Sequence, residues 1–330
     1  MSNTTAKVIV AITTYNLEDY IASALDSVLK QKTDFDYKII VADDASTDNT
    51  VNILKEYRSR FPEKIELLLS EQNQGSLKNS NRIFRNLKSE YFSFLDGDDY
   101  WLGETRLQEQ VDFMDSHKEY MLCGGNTQYL RNGNLAEYVV PDNKLGKSYT
   151  FESYLNGELP FVHTSALLVR NIIFSDGLPE CFSEAENTFE NCALRGEDFR
   201  RLLHLERGPI YILNQTVSVY RIHANGMWQG ISSAKRSIET AIGYHYYSKY
   251  FGTKYGSFFS DKASAAYRTM MINLATDNHL LGHYELNENE TYLLTSLLND
   301  LAGSDKKIPS NNSPFASKCL KLFCRVFLAR

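Results

Sequence analysis

Short apolar runs alternate with amphipathic stretches through the first hundred residues of the chain. Four of these runs are rich in β-branched or aromatic residues and are followed by polar turns, a pattern typical of β-strands. They occupy residues 7–14, 37–42, 64–70 and 91–96. The stretches between them place apolar residues at helical spacing, as in Ile21, Leu25 and Val28, and Asp48 is the predicted N-cap of the second helix. This alternation predicts an α/β fold with a mainly parallel central sheet flanked by helices.

Polar clusters follow three of the four predicted strands. The first strand ends in TTYN (13–16), the second in DDAS (43–46) and the fourth in DGDD (96–99). Ligands of parallel α/β sheets bind outside the carboxyl ends of the strands, so these clusters should meet at one edge of the sheet. The sequence therefore predicts a binding site at that edge.

The second part of the chain combines further strands with a helical end. A helix is predicted at about 104–117, strands near 121–129, 164–170 and 209–222, and the polar region 130–163 is interpreted as an excursion over the active face. Helix-forming residues recur periodically from 232 to 302. The predicted domains are 1–231, with a first half at 7–102 and a second at 103–231, then a helical subdomain at 232–305 and a basic tail at 306–330.

Composition excludes several classes of protein. A net charge of −6 argues against a general nucleic-acid binder, which needs a basic excess to neutralise phosphates. The five cysteines are scattered and form no CxxC pair, which suits reduced cytosolic thiols better than disulfides or a zinc site. We interpret the N-terminal apolar run as a strand rather than a signal peptide, and no apolar segment of about 18 residues is present to span a bilayer.

The residue types in the three clusters suit a nucleotide and a metal ion. Neither GxGxxG nor GxxxxGK[ST] is present, which disfavours a glycine-cradled dinucleotide or a P-loop. Asp43 and Asp44 could accept hydrogen bonds from a base or ribose, with a helix-capping turn as the alternative. The carboxylates of DGDD suit Mg²⁺ or Mn²⁺, whose charge would offset their mutual repulsion, with a solvated acidic turn as the alternative. Gly97 is expected to permit a tight turn there.

Four stretches together resemble the successive signatures of family 2 glycosyltransferases. They are VIVAITTYNLEDYIASALDSVLKQ, KIIVADDASTDNT, NQGSLKNSNRIF and SEYFSFLDGDDYW, in order and at the expected spacing over residues 7–102. The resemblance implies the GT-A nucleotide-sugar-binding fold, here with a C-terminal helical extension. It also implies transfer of a sugar from a nucleotide diphosphate donor to an acceptor hydroxyl, with inversion at the anomeric carbon and with Mn²⁺ or Mg²⁺. UDP is the commonest donor nucleotide of the family.

Site residues are carried over from the family position by position. Thr13 and Tyr15 match positions that contact the base, and Asp44, with Asp43 beside it, matches the carboxylate that reads the base. Asp96 and Asp98 match the DxD pair, the first near the ribose and the second on the metal, and Asp99 is the additional family aspartate. Where the family often has Ala-Arg-Asn, this chain has Asn79-Ser80-Asn81, so Lys78 or Arg82 is the candidate that replaces the missing donor-facing basic residue.

Two later motifs complete the predicted site. LRGEDFRRLLHL (194–205) resembles the family's ED motif and makes Asp198 the candidate general base, with Glu197 beside it to orient it or to bind acceptor. Acidic residues favouring a helix N-terminus are the alternative interpretation. In VYRIHANGMWQG, His223 is a candidate metal ligand or diphosphate contact, Arg221 a candidate diphosphate contact, and Trp228 a candidate for stacking on a sugar or for packing.

Three functions from different classes are compatible with parts of this pattern. An inverting, metal-dependent hexosyltransferase of bacterial surface polysaccharide or glycan assembly accounts for both DxD and ED. A nucleotide-sugar-binding module without turnover has no need of a base, and a metal-dependent phosphotransferase would need an Asp nucleophile with supporting Lys and Thr, which we do not find. The expected partners are a nucleotide-diphospho-sugar and a glycan or lipid-linked acceptor, and the expected location is the cytoplasm, at the inner face of its membrane.

The tail generates the first testable prediction. Between Phe315 and Phe327, apolar residues recur on one face of a helix, whereas Lys318, Lys321 and Arg325 fall on another. A helix of this kind resembles an interfacial membrane anchor, drawn to anionic headgroups by about 1 kcal/mol per basic residue, with docking on the enzyme's own acidic surface as the alternative. Co-sedimentation with anionic liposomes should therefore be stronger for the full chain than for a chain ending at Asp305. Equal binding would exclude an anchor.

Overall fold

The computed structural model describes residues 6–188, 190–223, 226 and 233–276. The described part of the chain divides into two compact units. The first lies within Met1–Ser183 and Leu194–Gly230, and the second within Glu184–Ala193 and Ile231–Arg330.

A sheet of ten strands, counted over the described residues, forms the centre of the first unit. The strands are β1 (Val8–Thr14), β2 (Tyr37–Asp43), β3 (Ile65–Leu69), β4 (Tyr91–Asp96), β5 (Tyr100–Trp101), β6 (Leu122–Arg131), β7 (Asn134–Tyr138), β8 (Lys147–Tyr149), β9 (Leu168–Arg170) and β10 (Ile210–Ile222). Their order is β3-β2-β1-β4-β9-β6-β10-β5, with β7 beside β6 and β8 beside β10.

Helices connect these strands and continue beyond them. They are α1 (Ile21–Leu29), α2 (Thr50–Arg60), α3 (Ser76–Phe84), α4 (Arg106–Ser116), α5 (Phe151–Leu155), α6 (Glu180–Ala185), α7 (Asn191–Leu194), α8 (Glu197–Leu205), α9 (Ser233–Tyr250) and α10 (Gly252–Thr276). The prediction of an α/β sheet flanked by helices, followed by a helical region, is confirmed.

The predicted parallel half of the sheet is present as β3, β2, β1 and β4. Each pair of neighbours in this set is parallel. The apolar side chains of β1, such as Val8, Val10 and Ile12, are fully buried and pack with Ile21 and Leu25 of α1. A strand covered on both faces reads as a nearly continuous apolar run, which is why these strands stand out in the sequence.

The second half of the sheet is mixed. β9 is antiparallel to both of its neighbours, β4 and β6, whereas β10 is parallel to β6. β6 and β7 form a hairpin whose turn holds Asn132 and Gly133 at φ 51° and 78°, the left-handed values that Asn and Gly adopt most readily. The predicted excursion at 130–163 therefore contains two strands, β7 and β8, and the short helix α5.

One local prediction is wrong by a residue. α2 begins at Thr50 with Asn49 as its N-cap, not with Asp48. The Asp48 carboxylate instead accepts hydrogen bonds from the backbone N–H groups of Thr50 and Glu18, at 3.0 Å each. It therefore ties the start of α2 to the loop that follows β1.

The second unit is built around α9 and α10. Tyr247 of α9 packs edge-to-face on Phe259 of α10, with ring centroids 5.5 Å apart, and its hydroxyl donates to the carbonyl of Ala193 at 3.0 Å. No helix in the described ranges is long and apolar enough to cross a membrane. Residues 277–305 of the predicted helical subdomain and the basic tail at 306–330 lie outside the described residues.

Candidate functional site

The carboxyl ends of β1 and β4 meet, as the sequence predicts. Thr13 is in register with Asp96, and its hydroxyl lies 3.5 Å from a carboxylate oxygen of Asp96. The N–H of Gly97 donates to the carbonyl of Thr13 at 3.0 Å. A Cβ at Gly97 would lie 3.0 Å from that carbonyl oxygen and 3.1 Å from Leu17, so this position needs glycine for close approach of the chains. Tyr15 follows at this edge with 45% of its surface exposed.

The two aspartates after β2 are buried and hydrogen-bonded within the protein. The Asp43 carboxylate accepts from the N–H and the hydroxyl of Ser46, which closes the turn after the strand. The Asp44 carboxylate accepts from the backbone N–H groups of Gln74 and Gly75, both at 2.8 Å. Asp44 therefore holds the loop before α3 against the end of β2, and a bound base would have to share its carboxylate with that loop.

Two basic residues of α3 differ in their surroundings. Arg82 donates to the carbonyl of Asp43 and to the side chain of Asn79, both at 3.1 Å. Burial lowers the pKa of its guanidinium, and the charges of Asp44 and Asp43 oppose that shift. Lys78 is half-buried, and within the described part of the chain its ammonium has no hydrogen-bond partner. Arg82 is thus the basic residue that faces the carboxylates of β2.

Asp98 and His223 form a pair at the end of β4. His223 Nε2 lies 3.1 Å from a carboxylate oxygen of Asp98, and the side chains are 12% and 20% exposed. The His223 ring also packs against Tyr20, with centroids 4.7 Å apart. The sequence analysis made Asp98 a metal ligand and His223 a candidate metal ligand or diphosphate contact, and the structure brings them together from just after β4 and β10.

A second group lies deeper, formed by Asp96, Asp99 and His163. One ligand atom from each can be chosen so that all three atoms lie within 4.8 Å of one another. Burial raises the pKa of Asp96 to about 7, with a further rise from the charge of Asp98, and burial raises the pKa of Asp99 well above its usual range. Burial lowers the pKa of His163 to about 4, so its ring is neutral at neutral pH.

His163 was missed by the sequence analysis. Its Nδ1 lies 3.7 Å from a carboxylate oxygen of Asp99 and 2.7 Å from the Ser165 hydroxyl, and its ring stacks on Tyr220 at 4.5 Å. It stands in the FVHTS stretch, which matches no motif used above. Only the order of strands, with β9 between β4 and β6, brings the segment before β9 to the aspartates.

Arg221 holds the DGDD turn in place. Its backbone N–H donates to Asp99 at 3.0 Å, and its guanidinium donates to the carbonyl of Asp98 at 2.8 Å and to the hydroxyl of Ser23 at 2.9 Å. The guanidinium also lies over the rings of Tyr20 and Tyr100. With so many donors engaged inside the protein, Arg221 is better placed to position the turn than to bind the diphosphate predicted for it.

Glu197 and Asp198 form the first turn of α8. The guanidinium carbon of Arg200 lies 5.3 Å from the centroid of the Phe94 ring in β4, so the start of α8 lies near the DGDD turn that ends this strand. Arg201, itself 5% exposed, donates from Nη2 to Oδ1 of Asp198. The Asp198 side chain is 56% exposed.

Burial raises the pKa of the Asp198 carboxyl, while the neighbouring Arg201 lowers it. The solvent that reaches this side chain weakens both effects. Trp228 lies outside the described residues, so the structure does not place it.

The donor set at the turn fits a divalent cation. Carboxylate oxygens with one imidazole suit Mn²⁺ or Mg²⁺. One carboxylate oxygen of Asp99 is buried and has no hydrogen-bond partner within the described part of the chain. A cation near that oxygen would satisfy it and offset the repulsion among the carboxylates, which adds to the effect of burial on the pKa values of Asp96 and Asp99.

Comparison with known protein sequences shows similarity to glycosyltransferases. The family described as Glycosyl transferase family 2 matches residues 9–178. An uncharacterised protein of Mycobacterium tuberculosis is 28% identical over 67% of this chain and 60% of its own length. The putative teichuronic acid biosynthesis glycosyltransferase TuaG of Bacillus subtilis is 35% identical over 34% of this chain and 44% of its own length.

The poly(ribitol-phosphate) β-N-acetylglucosaminyltransferase TarS of Staphylococcus aureus is 29% identical over 54% of this chain and 30% of its own length. The chain thus spans less than two thirds of each of these relatives. The matches relate it to transferases of bacterial cell-wall polysaccharides.

Solved structures show the same fold at low sequence identity. The crystal structure of S. aureus TarS in complex with UDP-GlcNAc superposes with a TM-score of 0.57 at 19% identity, over 89% of this chain and 81% of that one. The mannosyltransferase PcManGT from Pyrobaculum calidifontis, in complex with GDP-Man and Mn²⁺, superposes with a TM-score of 0.52 at 15% identity, over 97% of this chain and 85% of that one. These likenesses support the GT-A fold.

The two groups of candidate ligands, Asp98 with His223 and the deeper Asp96, Asp99 and His163, generate a prediction about metal binding. We expect the ion to bind at Asp98 and His223, because these side chains are the less buried of the two sets and can reach a donor. Asp98→Asn and His223→Ala should each weaken Mn²⁺ binding by more than the roughly tenfold that loss of a residue supporting a metal ligand costs. The measurement is a titration with Mn²⁺ in which the free ion is followed by electron paramagnetic resonance.

Two further histidine variants provide the control and the contrary result. His117→Ala removes an exposed histidine whose ring nitrogen only contacts the carbonyl of Phe113, so Mn²⁺ affinity should not change. If His163→Ala weakens Mn²⁺ binding while Asp98→Asn does not, the ion belongs to the deeper group of Asp96, Asp99 and His163. Thermal unfolding of each variant separates loss of ligand from loss of fold.

Proposed function

The chain belongs to glycosyl transferase family 2, and from that premise we propose that it is an inverting, metal-dependent glycosyltransferase that moves a hexosyl group from a nucleotide diphosphate donor to an acceptor hydroxyl. One observation carries this proposal. The DGDD turn and the ED helix converge, since Arg200 of α8 lies over the ring of Phe94, two residues before Asp96. A module that only binds nucleotide sugars would have no need of a carboxylate pair placed beside its donor site.

The donor is proposed to bind along the edge formed by β1, β2 and β4. Thr13, Tyr15 and Asp44 would contact the base, and Asp96 the ribose. Arg82 or Lys78 would face the diphosphate from α3. Because TarS is seen with UDP and UDP-GlcNAc, we expect UDP to be the nucleotide.

A divalent ion at Asp98 and His223, Mn²⁺ or Mg²⁺, would stabilise the negative charge that develops on the departing nucleoside diphosphate. Arg221 would keep the Asp98 carbonyl and the Asp99 carboxylate in place while this charge develops. Asp99 is buried beside Asp96 and Asp98 and would support the turn from the interior of the protein.

Asp198 is proposed to accept the proton of the attacking hydroxyl. Arg201 occupies Oδ1 of this carboxylate, and Oδ2 has no hydrogen bond to any described residue, so Oδ2 is the atom available for the proton. The ion pair fixes the orientation of the carboxylate, which general-base catalysis requires. Glu197 would orient Asp198 or bind the acceptor.

The acceptor is proposed to be a glycan, free or lipid-linked, in the assembly of a bacterial surface polysaccharide. The related TuaG and TarS support this, since their names refer to teichuronic acid and poly(ribitol-phosphate). A lipid-linked acceptor would place the enzyme at the inner face of the cytoplasmic membrane.

Nucleotide binding is the first test of the proposal. A thermal-shift panel of UDP, GDP, CDP and dTDP with Mn²⁺ should single out one nucleotide, which we expect to be UDP. A ligand at a hundredfold excess over its Kd adds about 2.7 kcal/mol to the free energy of unfolding. If none of the four nucleotides raises the unfolding temperature, the donor site is wrongly assigned.

The base is tested by separating binding from chemistry. In Asp198→Asn the amide oxygen can still accept from Arg201, but the side chain can no longer take up a proton. Transfer should fall by about 10²–10⁴-fold while the thermal shift given by the donor nucleotide stays the same. The assay measures nucleoside diphosphate released from the sugar donor of the best-binding nucleotide.

Asp112→Asn, the same substitution at an exposed position of α4, should leave the rate unchanged. An Asp198→Asn enzyme that loses nucleotide binding in parallel with rate would place Asp198 in the nucleotide pocket. A variant with the wild-type rate would remove it from the chemistry.

A further inference from the structure

Phe161 is an exposed aromatic residue beside the candidate base. Phe161 is 46% exposed, whereas the two residues that follow it, Val162 and His163, are buried, with exposed fractions of only 0% and 7%. A single exposed aromatic is ordinary on a protein surface. What distinguishes Phe161 is the set of residues that holds it.

Arg201 connects Phe161 to Asp198. The guanidinium carbon of Arg201 lies 5.9 Å from the centroid of the Phe161 ring, within the range of a cation–π contact. The same guanidinium donates to Asp198, and it also contacts the carbonyl of Val162 at 3.4 Å. One buried cation therefore contacts both the ring and the carboxylate.

The segment Phe161–His163 also contacts the DGDD turn, through His163. The Phe161 ring meets the His163 ring edge-to-face, with centroids 6.3 Å apart and an interplanar angle of 80°. His163 in turn stacks on Tyr220 and faces Asp99. These two contacts restrain the ring, and 46% of the residue remains exposed.

From this geometry we propose that Phe161 is a platform for the acceptor, on which the apolar face of a pyranose ring stacks so that its hydroxyl reaches Oδ2 of Asp198. The inference rests on the proposed transferase function and names its acceptor class as one that carries a ring sugar rather than only an open-chain polyol. A flat, preoriented aromatic ring offers a large contact area at little cost in conformational entropy.

Ligand-observed NMR by saturation transfer tests the platform on the full chain. The probes are methyl β-D-glucopyranoside, methyl N-acetyl-β-D-glucosaminide and the open-chain ribitol 5-phosphate, each with UDP and Mg²⁺. We expect saturation on one face of at least one pyranose. Phe161→Ala should weaken that binding by roughly five- to tenfold, and Phe161→Trp should restore it.

The control is Ile172→Ala, another exposed apolar residue. It follows β9 near the start of β4, at the end of the sheet away from the DGDD turn. It should therefore have no effect on glycoside binding. The thermal shift given by UDP should be the same in all variants, because Phe161 is not part of the donor site.

Two results would overturn the platform while the proposed transferase stands. One is UDP binding with glycoside binding that Phe161→Ala leaves unchanged. The other is binding of ribitol 5-phosphate alone, or of none of the three probes, by a wild-type protein that binds UDP. Failure of the wild-type protein to bind any nucleotide would instead contradict the transferase proposal itself.

Discussion

Three carboxylates in four residues are the constraint on which the site depends. Asp96 and Asp99 are buried close together, and their pKa values rise first because burial disfavours the charged form and then because neighbouring carboxylates repel them. The fold restrains this turn from one side: Arg221 of β10 bonds to Asp98 and Asp99 and reaches Ser23 of α1. The protein therefore holds the turn in place through β10, and any affinity of the site for a cation would depend on the position of this strand.

Much of this arrangement could be predicted because it is local. β1, β2 and β4 are short apolar strands, and parallel pairing brings the residues that follow them to one edge. The remainder depends on distant pairing. His163 reaches the aspartates only because β9 lies between β4 and β6, and no periodicity near residue 163 encodes that position. A metal-binding or positioning role for a lone histidine needs such spatial evidence.

Residue type predicted the chemical character of some side chains, but it did not predict the groups to which they are hydrogen-bonded. Arg221 was a candidate for the diphosphate because it is basic and near His223, but its guanidinium is engaged with Asp98 and Ser23. Asp44 was expected to read a base, yet both of its oxygens accept from backbone N–H groups of the loop before α3. Hydrogen bonds to a loop 30 residues away leave no mark in the sequence around Asp44, so such commitments become visible only in the fold.

The segment Phe161–His163 shows how one extended stretch can serve two parts of a site. Residues two apart in extended backbone lie on the same side, and the rings of Phe161 and His163 contact each other edge-to-face. Here Phe161 meets Arg201 beside the base, and His163, two residues on, lies against Asp99. Val162 between them is fully buried and anchors the stretch, with its carbonyl contacting Arg201. Any movement of this segment would therefore shift the surroundings of Asp198 and of the DGDD turn together.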